Sequence, residues 1–330
     1  MLWKGFRMRR LSWFCLVTLL LIRHGLAGAE NITVSLVTPS AAYLDHLVAV
    51  EKGYFREQNL NVEYIRAGGG VATPALMSGE LHLSTSAGSA LSAGLRGGPL
   101  KIVYTNLSRP SYQFISTKPE IRNLKDLIGK KIAINTFGDT QHLAILLLLK
   151  KYHIPSTAVL FIAMGRNETR FAAFKTAAID ATPLLPRDVL QIGQAKGAVL
   201  ADIGKEIQLI WSGAVTSNKL LAENRGLVER FLAGAIKGRE YARRFKDQTL
   251  TVIAKHDKSP REGIELDYEA TVSSMTAEGS VTDDVLRDEI ATRAELTKMS
   301  NPPEKEKLFD YSLVKKIYAE LKASGWQPKP

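Results

Sequence analysis

The sequence predicts an α/β protein of two lobes, built on mainly parallel sheets with flanking helices and completed by a helical C-terminal region. Three observations support this prediction. The chain has 330 residues, a length suited to two lobes of roughly 100–200 residues each. Short β-branched runs alternate with helical runs through two successive stretches. Beyond residue 217 only helical patterns remain.

Residues 30–112 hold the first alternation and form the first part of lobe 1. Their apolar, β-branched runs end at turn residues such as Pro39 and Gly68. Gly53 and Gly79 follow helices, where the chain often needs a left-handed residue. The predicted strands are 32–37, 61–66, 81–85 and 100–106, and the helices between them are 44–57, 71–78 and 87–96. This order favours a mainly parallel sheet with helices on both faces.

Residues 113–210 repeat the alternation and form lobe 2. A crossing strand is predicted at 112–116, and a strand at 207–217 leads the chain back to lobe 1. Further strands are predicted at 131–135, 159–163 and 178–182, with a helical turn at 123–128 that Gly129 ends and helices at 140–152, 167–176 and 186–195. Residues 211–330 supply the return to lobe 1 and helices at 220–245, 248–256, 259–276, 282–298 and 312–323. Because ligands bind beyond the carboxyl ends of parallel strands, two facing lobes would enclose a cleft.

Residues 1–29 have the composition of a cleavable secretory signal. Four basic residues between Lys4 and Arg10 precede an apolar run, and Ala27-Gly28-Ala29 places small residues before a cleavage site. The apolar run at 11–22 has twelve residues, whereas a membrane-spanning helix needs about 20. We therefore expect cleavage after Ala29 and a periplasmic location. An uncleaved membrane anchor is the alternative.

Charge and cysteine content argue against several functions. The net charge is +11, but five basic residues and no acidic one lie in residues 1–29, which leaves +6 for the rest of the chain. That excess is dispersed and forms no basic stripe with interleaved aromatics, so no nucleic-acid partner is expected. The single cysteine, Cys15, lies in the apolar run. Thiol nucleophiles, disulfides, cysteine zinc sites and iron–sulfur clusters are therefore not expected in the exported chain. The histidines show no close metal-ligand spacing, so no metal and no cofactor are expected.

Five phrases of the sequence resemble one protein family. They are EKGYF with LNVE at 51–63, ALMSGEL at 75–81, RGGPLKIV at 96–103, LKDLIGKKI at 124–132 and AAIDA at 177–181. Their order and spacing are similar to those of SsuA-like periplasmic substrate-binding proteins of ABC importers, the group for nitrate, taurine, aliphatic sulfonates and thiamine-pyrimidine precursors. The resemblance spans about residues 32–245 and implies a type II periplasmic-binding fold. His82 stands where that family usually has an aspartate.

Three loops of lobe 1 are expected to line the cleft. Ser40 and Tyr43 follow the first predicted strand, although Ser40 equally suits an N-cap. Gly69 lies in a triple glycine that would either let a ligand approach the backbone or simply form a turn. Thr85 and Ser86 precede a helix N-terminus, a place suited to an anion or a carbonyl. The resemblance also implies ligand contacts in this last loop.

The matching loop of lobe 2 offers Thr136, Phe137, Asp139 and Thr140. Phe137 would stack on a flat ligand or fill the face of the lobe. Asp139 either caps the following helix or faces the ligand. If it faces the ligand, it repels an anion and favours an amine or another N–H donor.

Two loop arginines instead favour an anionic ligand. Arg166 and Arg109 each carry a guanidinium that could clamp a carboxylate. Trp211, in the return strand, is expected in the core. No metal-ligand spacing or nucleophile motif accompanies these residues.

These features predict a non-catalytic receptor. A monomer would capture a small polar organic molecule between its lobes and deliver it to the transmembrane subunit of an ABC permease. One alternative is a receptor that reports its ligand to a membrane signalling protein. Another is an enzyme like the pyrimidine-precursor synthases, whose branch of the fold relies on a cysteine-rich motif that this chain lacks.

Overall fold

The computed structural model describes residues 28–116, 118–193 and 197–330. The predicted secretory signal therefore lies outside the described residues, apart from its last two positions. Within the described ranges, no helix combines the length and the apolar character needed to cross a membrane.

Ten strands form two five-stranded sheets in the described residues, one in each lobe. The strands are β1 (Glu30–Leu36), β2 (Leu60–Arg66), β3 (Leu83–Ser84), β4 (Leu100–Leu107), β5 (Gln113–Ser116), β6 (Lys131–Ile134), β7 (Leu160–Ala163), β8 (Ala181–Leu184), β9 (Val199–Asp202) and β10 (Ser212–Ser217). The order is β2-β1-β3-β10-β4 in lobe 1 and β7-β6-β8-β5-β9 in lobe 2.

The two-lobed α/β fold class is confirmed, and both sheets are mixed. Strand β1 runs parallel to β2 and β3, and β6 runs parallel to β7 and β8. Strand β10 is antiparallel to β3 and β4, and β5 is antiparallel to β8 and β9. The antiparallel members are the two strands that carry the chain between lobes, because each enters its sheet from the opposite end.

Fourteen α-helices lie in the described part of the chain. They are α1 (Leu44–Glu51), α2 (Gly69–Ser78), α3 (Ala87–Leu95), α4 (Thr140–Lys151), α5 (Asn167–Lys175), α6 (Pro186–Ile192), α7 (Ile203–Glu206), α8 (Asn218–Glu223), α9 (Arg225–Arg244), α10 (Lys246–His256), α11 (Arg261–Ser274), α12 (Asp283–Leu296), α13 (Lys305–Leu308) and α14 (Ser312–Ala323). Short 3-10 turns occur at Ala41–Tyr43, Arg56–Gln58, Leu124–Leu127 and Ser156–Ala158.

Several elements differ from the sequence-based expectation, and the helix predicted at 44–57 is α1, which ends at Glu51. The helix predicted from 220 to 245 is two helices, because Asn224 breaks the run and its side chain caps α9 by accepting from the Leu227 N–H at 3.0 Å. Helix α6 ends at Ile192, since Gly193 has a φ of 68°. Strand β9 and helix α7 occupy part of the region assigned to a loop and a return strand, and β10 begins only at Ser212.

The C-terminal helices contact both lobes. In the largest hydrophobic core, Phe231 of α9 stacks on Phe55 with ring centroids 5.2 Å apart. Helix α9 approaches α1 so closely that a Cβ on Gly238 would fall 2.1 Å from the Asp45 carbonyl oxygen. Helix α11 packs against α6 of lobe 2, and α12 packs against α3 and α4. These helices therefore complete lobe 1 and also connect it to lobe 2.

Candidate ligand-binding cleft

A cleft of about 110 Å³ lies between the lobes, where loops follow the carboxyl ends of strands in both sheets. Eight of the ten predicted site residues line it: Ser40, Tyr43, Gly69, Thr85, Ser86, Asp139, Thr140 and Arg166. Thr136 and Phe137 do not. All charged residues on its described walls come from lobe 2, and they are Asp139, Arg166, Glu168, Arg170 and Arg187.

Hydroxyl groups line the lobe 1 wall. Ser40 is buried, and its side chain makes no capping hydrogen bond to the turn that follows. Thr85 donates through Oγ1 to the Ser35 carbonyl oxygen at 3.1 Å. The Oγ of Ser86, at the start of α3, is buried and has no hydrogen-bond partner within the described ranges. Burial raises the pKa of Tyr43 well above its usual value, so its hydroxyl remains a donor.

Gly69 lies where a side chain has no room. A Cβ at this position would fall 2.0 Å from Ser89 Oγ and 2.3 Å from Ser89 Cβ. The neighbouring Gly70 has nothing within 4 Å of such a Cβ. The glycine is therefore required at Gly69 by the close packing of α2 on the start of α3, and not by the turn alone.

Asp139 is the N-cap of α4. Its Oδ1 accepts from the His142 N–H at 2.8 Å, and its Oδ2 accepts from Asn135 Nδ2 at 2.6 Å. Asp139 is 7% exposed, and burial raises the pKa of its carboxyl despite these bonds. Both oxygens are thus occupied within lobe 2, which supports the capping role over a direct contact with an amine ligand.

Thr136 and Phe137 lie on the exposed turn before α4, contrary to the expectation that they line the cleft. Phe137 is 59% exposed, and its ring meets the His142 ring edge-on with centroids 5.4 Å apart. His142 Nδ1 accepts from the Gly138 N–H at 3.0 Å, and burial lowers the pKa of His142 to about 4, which keeps the ring neutral. Gly138 adopts a φ of 77°, so the turn has the left-handed geometry that glycine allows. This local hydrogen bonding places the turn outside the cleft.

Thr140 lies where the lobes touch. A Cβ on Gly88 would fall 1.4 Å from Thr140 Oγ1, so the starts of α3 and α4 are in direct contact. Arg293 of α12 is fully buried and donates to the Gly88 carbonyl oxygen at 3.1 Å, to Ser92 Oγ at 2.9 Å and to Thr140 Oγ1 at 3.3 Å. Glu289 accepts from Arg293 Nε at 2.7 Å. Thr140 therefore serves the contact between lobes as well as lining the cleft.

Arg170 is a buried cation of the cleft that sequence reasoning missed. It is 1% exposed, donates to the Gly165 carbonyl oxygen and lies 3.4 Å from Asn167 Oδ1. Its Nε has no hydrogen-bond partner, and it forms no ion pair with any described residue. Burial lowers its pKa, but a guanidinium remains charged at neutral pH. The available signal was the spacing from Arg166, because residues four apart share a helix face.

Arg187 also lines the cleft, but its charge is already balanced. Its guanidinium forms ion pairs with Asp257 and Asp267, and its backbone N–H donates to Asp267 Oδ1 at 3.0 Å. Burial raises the pKa of Asp267 to about 7 and also raises the pKa of Asp188. This cluster joins α6 of lobe 2 to the C-terminal helices.

Two aromatic rings complete the cleft wall. Tyr112 and Trp211 meet edge to face with centroids 4.9 Å apart, and both line the cleft. Trp211 was expected in the core, but it is half-buried and lies on the cleft wall just before β10. Burial raises the pKa of Tyr112 to about 12. In the part of the chain that the structure describes, no three His, Cys, Asp or Glu side chains are placed to hold a metal ion.

Comparison with known families identifies the chain's relatives. The profile of the family described as NMT1/THI5 like matches residues 41–248. The chain belongs to the NMT1/THI5-like family. The match includes most of lobe 1 and all the strands of lobe 2, which agrees with the resemblance found in the sequence phrases. No curated protein sequence matches this member of the family.

Solved structures show the same fold at low sequence identity. The alkanesulfonate-binding protein SsuA from Xanthomonas axonopodis pv. citri, bound to MOPS, has a TM-score of 0.70 and 17% identity, covering 88% of this chain and 99% of that chain. The periplasmic aliphatic sulphonate binding protein SsuA from Escherichia coli has a TM-score of 0.66 and 18% identity, with coverages of 84% and 89%. The desulfurization enzyme DszB has a TM-score of 0.64 and 14% identity, with coverages of 88% and 99%. The periplasmic-binding fold is therefore established, and it occurs in both binding proteins and an enzyme.

Proposed function

We propose that this NMT1/THI5-like protein is an extracytoplasmic, non-catalytic receptor that captures a small organic anion between its lobes. The observation that carries the proposal is Arg170, a buried guanidinium without an ion pair among the described residues. Burying an unpaired charge is unfavourable, so a counter-charge supplied by the ligand would relieve that cost.

Neighbouring groups favour an anion over an amine. Ser86 Oγ and Arg170 Nε are both buried, can donate hydrogen bonds and have no hydrogen-bond partner among the described residues. Asp139, the group that would attract an amine, already accepts two hydrogen bonds within lobe 2. We therefore assign Ser40, Tyr43, Ser86 and Arg170 to the ligand, with Arg166 at the edge of the same wall.

Cellular context extends the proposal. The secretory-type composition of residues 1–29 supports export to the periplasm. Two of the similar structures are described as sulfonate-binding proteins, one of them periplasmic. We propose that the receptor acts as a monomer and hands its ligand to an ABC-type permease.

A ligand screen with three variants tests this function. Thermal shifts would be measured with taurine, alkanesulfonates, nitrate, monocarboxylates and alkylamines, followed by calorimetry on any ligand found. We expect an anion to raise the melting temperature and Arg170→Met to weaken its binding about 100-fold, since loss of a buried ion-pair partner costs 2–5 kcal/mol. Unliganded Arg170→Met should remain folded, because it removes an unpaired charge.

Two matched variants serve as controls. Arg109→Met alters an exposed arginine outside the cleft that donates to the Gly204 carbonyl oxygen, and it should leave affinity unchanged. Asp139→Asn should also retain anion binding, because asparagine caps a helix equally well. Binding of amines alone, abolished by Asp139→Asn and indifferent to Arg170→Met, would refute the anion assignment.

A further inference from the structure

A second cavity opens beside the cleft. It has a volume of about 460 Å³, is open to solvent and shares Thr38, Asn167, Glu168 and Arg187 with the cleft, so the two spaces adjoin. The cleft alone measures about 110 Å³, which is below the roughly 300–1,000 Å³ of ordinary small-molecule pockets. A ligand of usual size would therefore extend from the cleft into this outer cavity.

The outer cavity carries excess positive charge. Arg66, Lys175 and Lys258 line it, are exposed, and form no ion pair with any described residue. Among the described residues that line this cavity, Glu168 has the single exposed carboxylate. The other two lining carboxylates, Asp188 and Asp257, are buried against Arg187.

Helix α5 carries cationic residues of both cavities. Arg170 in the cleft and Lys175 in the outer cavity lie on this one helix. Five residues at about 100° each place their side chains on different faces of the helix, in agreement with the burial of Arg170 and the exposure of Lys175. Lys175 Nζ lies 4.6 Å from the centroid of the Phe171 ring. A ligand that contacts both cations must therefore extend from the cleft to the outer cavity.

We infer that the ligand is an elongated dianion, with one acidic group on Arg170 and the second among Arg66, Lys175 and Lys258. This inference rests on the proposed anion-receptor function and specifies its ligand class. Carboxylate or sulfonate groups fulfil the same requirement at either end. An extended α,ω-diacid such as adipate is a probe of this class, and succinate is the shorter diacid for comparison.

Calorimetry on the purified protein with matched probes tests the inference. Adipate is compared with hexanoate, and hexane-1,6-disulfonate with hexanesulfonate, at low ionic strength. An added ion pair near the surface is worth up to about 1 kcal/mol, so we expect each dianion to bind about fivefold more tightly than its monoanion. The advantage should be smaller for succinate over butanoate, and it should vanish in about 1 M salt, where the screening length falls to about 3 Å.

Charge-neutralising variants locate the second acidic group. Lys175→Gln and Arg66→Gln should each reduce the dianion advantage and leave hexanoate binding unchanged. Lys125→Gln removes the same charge from an exposed site of lobe 2 outside both cavities, and it should change neither affinity.

The outcomes separate this inference from the proposed function. Equal affinities for dianions and monoanions, with both dependent on Arg170, would overturn the inference and leave the anion receptor standing. The absence of binding by either dianion would also overturn it. Failure of every anion in the broader screen would overturn both.

Discussion

The two lobes share one sheet topology but line the cleft with different kinds of residue. Strand by strand, β2-β1-β3-β10-β4 corresponds to β7-β6-β8-β5-β9. In lobe 1, His82 Nδ1 accepts from the Thr33 N–H at 3.1 Å, and in lobe 2, Asp180 Oδ2 accepts from the Lys131 N–H at 2.7 Å. Each acceptor lies 49 residues after its donor. The histidine that departs from the family phrase therefore has the same role as Asp180 in lobe 2, since each side chain satisfies a backbone amide of the second strand of its sheet, β1 or β6.

The cleft walls show how the lobes diverge. Lobe 1 contributes hydroxyls and glycines without charge, whereas lobe 2 contributes every charged residue that lines the cleft in the described structure. Backbone amides must be satisfied in both lobes, so the scaffold positions stay similar. At the cleft-facing helix starts, Ser86 and Arg166 make no capping hydrogen bond, so these positions can differ between the lobes. We infer that lobe 2 sets the charge preference of the ligand and lobe 1 supplies neutral donors.

The largest predicted effect concerns the contact between the lobes. Arg293→Ala removes the donor to Gly88, Ser92 and Thr140 and leaves Glu289 buried without its cationic partner. Breaking a buried pair in this way should lower the free energy of unfolding by about 3–5 kcal/mol. Urea denaturation measures this loss of unfolding free energy. Arg287→Ala, on the same helix but in an exposed pair with Asp284, is the matched control and should have no measurable effect. Similar small losses in both variants would show that Arg293 does not hold the helix starts together.

A smaller change in stability is predicted for substitutions at two adjacent glycines of lobe 1, Gly69 and Gly70. Gly69→Ala forces a Cβ onto Ser89, and such overpacking should cost about 1–3 kcal/mol of unfolding free energy. Gly70→Ala places its Cβ in open space, without a positive φ, and should stabilise the protein by about 0.4–1 kcal/mol. Chemical denaturation of both variants checks the pair. Equal effects would mean that the triple glycine serves the turn and not the packing of α2 on α3.

Local backbone features were predictable from the sequence, whereas long-range side-chain partners were not. Gly53, Gly79 and Gly129 were expected to be left-handed, and their φ values of 76°, 87° and 76° confirm it. Such turns depend on a few neighbouring residues. Arg170 and Arg187 look alike in sequence, but among the described residues only Arg187 forms ion pairs, and two of its three carboxylate partners lie 70 and 80 positions away.

Phe137 illustrates the same limit within a single loop. The strand-to-helix position was correctly predicted, but the ring packs on His142 outside the cleft. A hydrogen bond from Gly138 to His142 sets that orientation of the turn. The spacing of the sequence correctly predicted the position of the loop. Which of its residues face the cleft depends on the contacts that each side chain makes in the folded structure.

The smallest predicted effect tests the correspondence between His82 and Asp180. His82→Asp should keep nearly wild-type stability at pH 7, because the new carboxylate can accept from Thr33, whereas His82→Ala should lose about 1 kcal/mol. Asp180→Ala should lose more, since Asp180 also pairs with Lys118 at 2.6 Å, and Asp180→Asn should retain the amide hydrogen bond.

Stability measurements at acid pH distinguish the contribution of the Asp180 charge from that of its hydrogen bond. Burial alone would raise the pKa of Asp180, but the Lys118 ammonium and the Lys131 N–H together hold it below its usual value. A depressed carboxyl pKa stabilises the fold above the unfolded value of about 3.9, and this contribution disappears as pH falls through the folded pKa. The deficit of Asp180→Ala should therefore be full at pH 7 and shrink below about pH 4. A deficit that stays constant down to pH 3 would show that the ionised carboxylate of Asp180 is not what stabilises lobe 2.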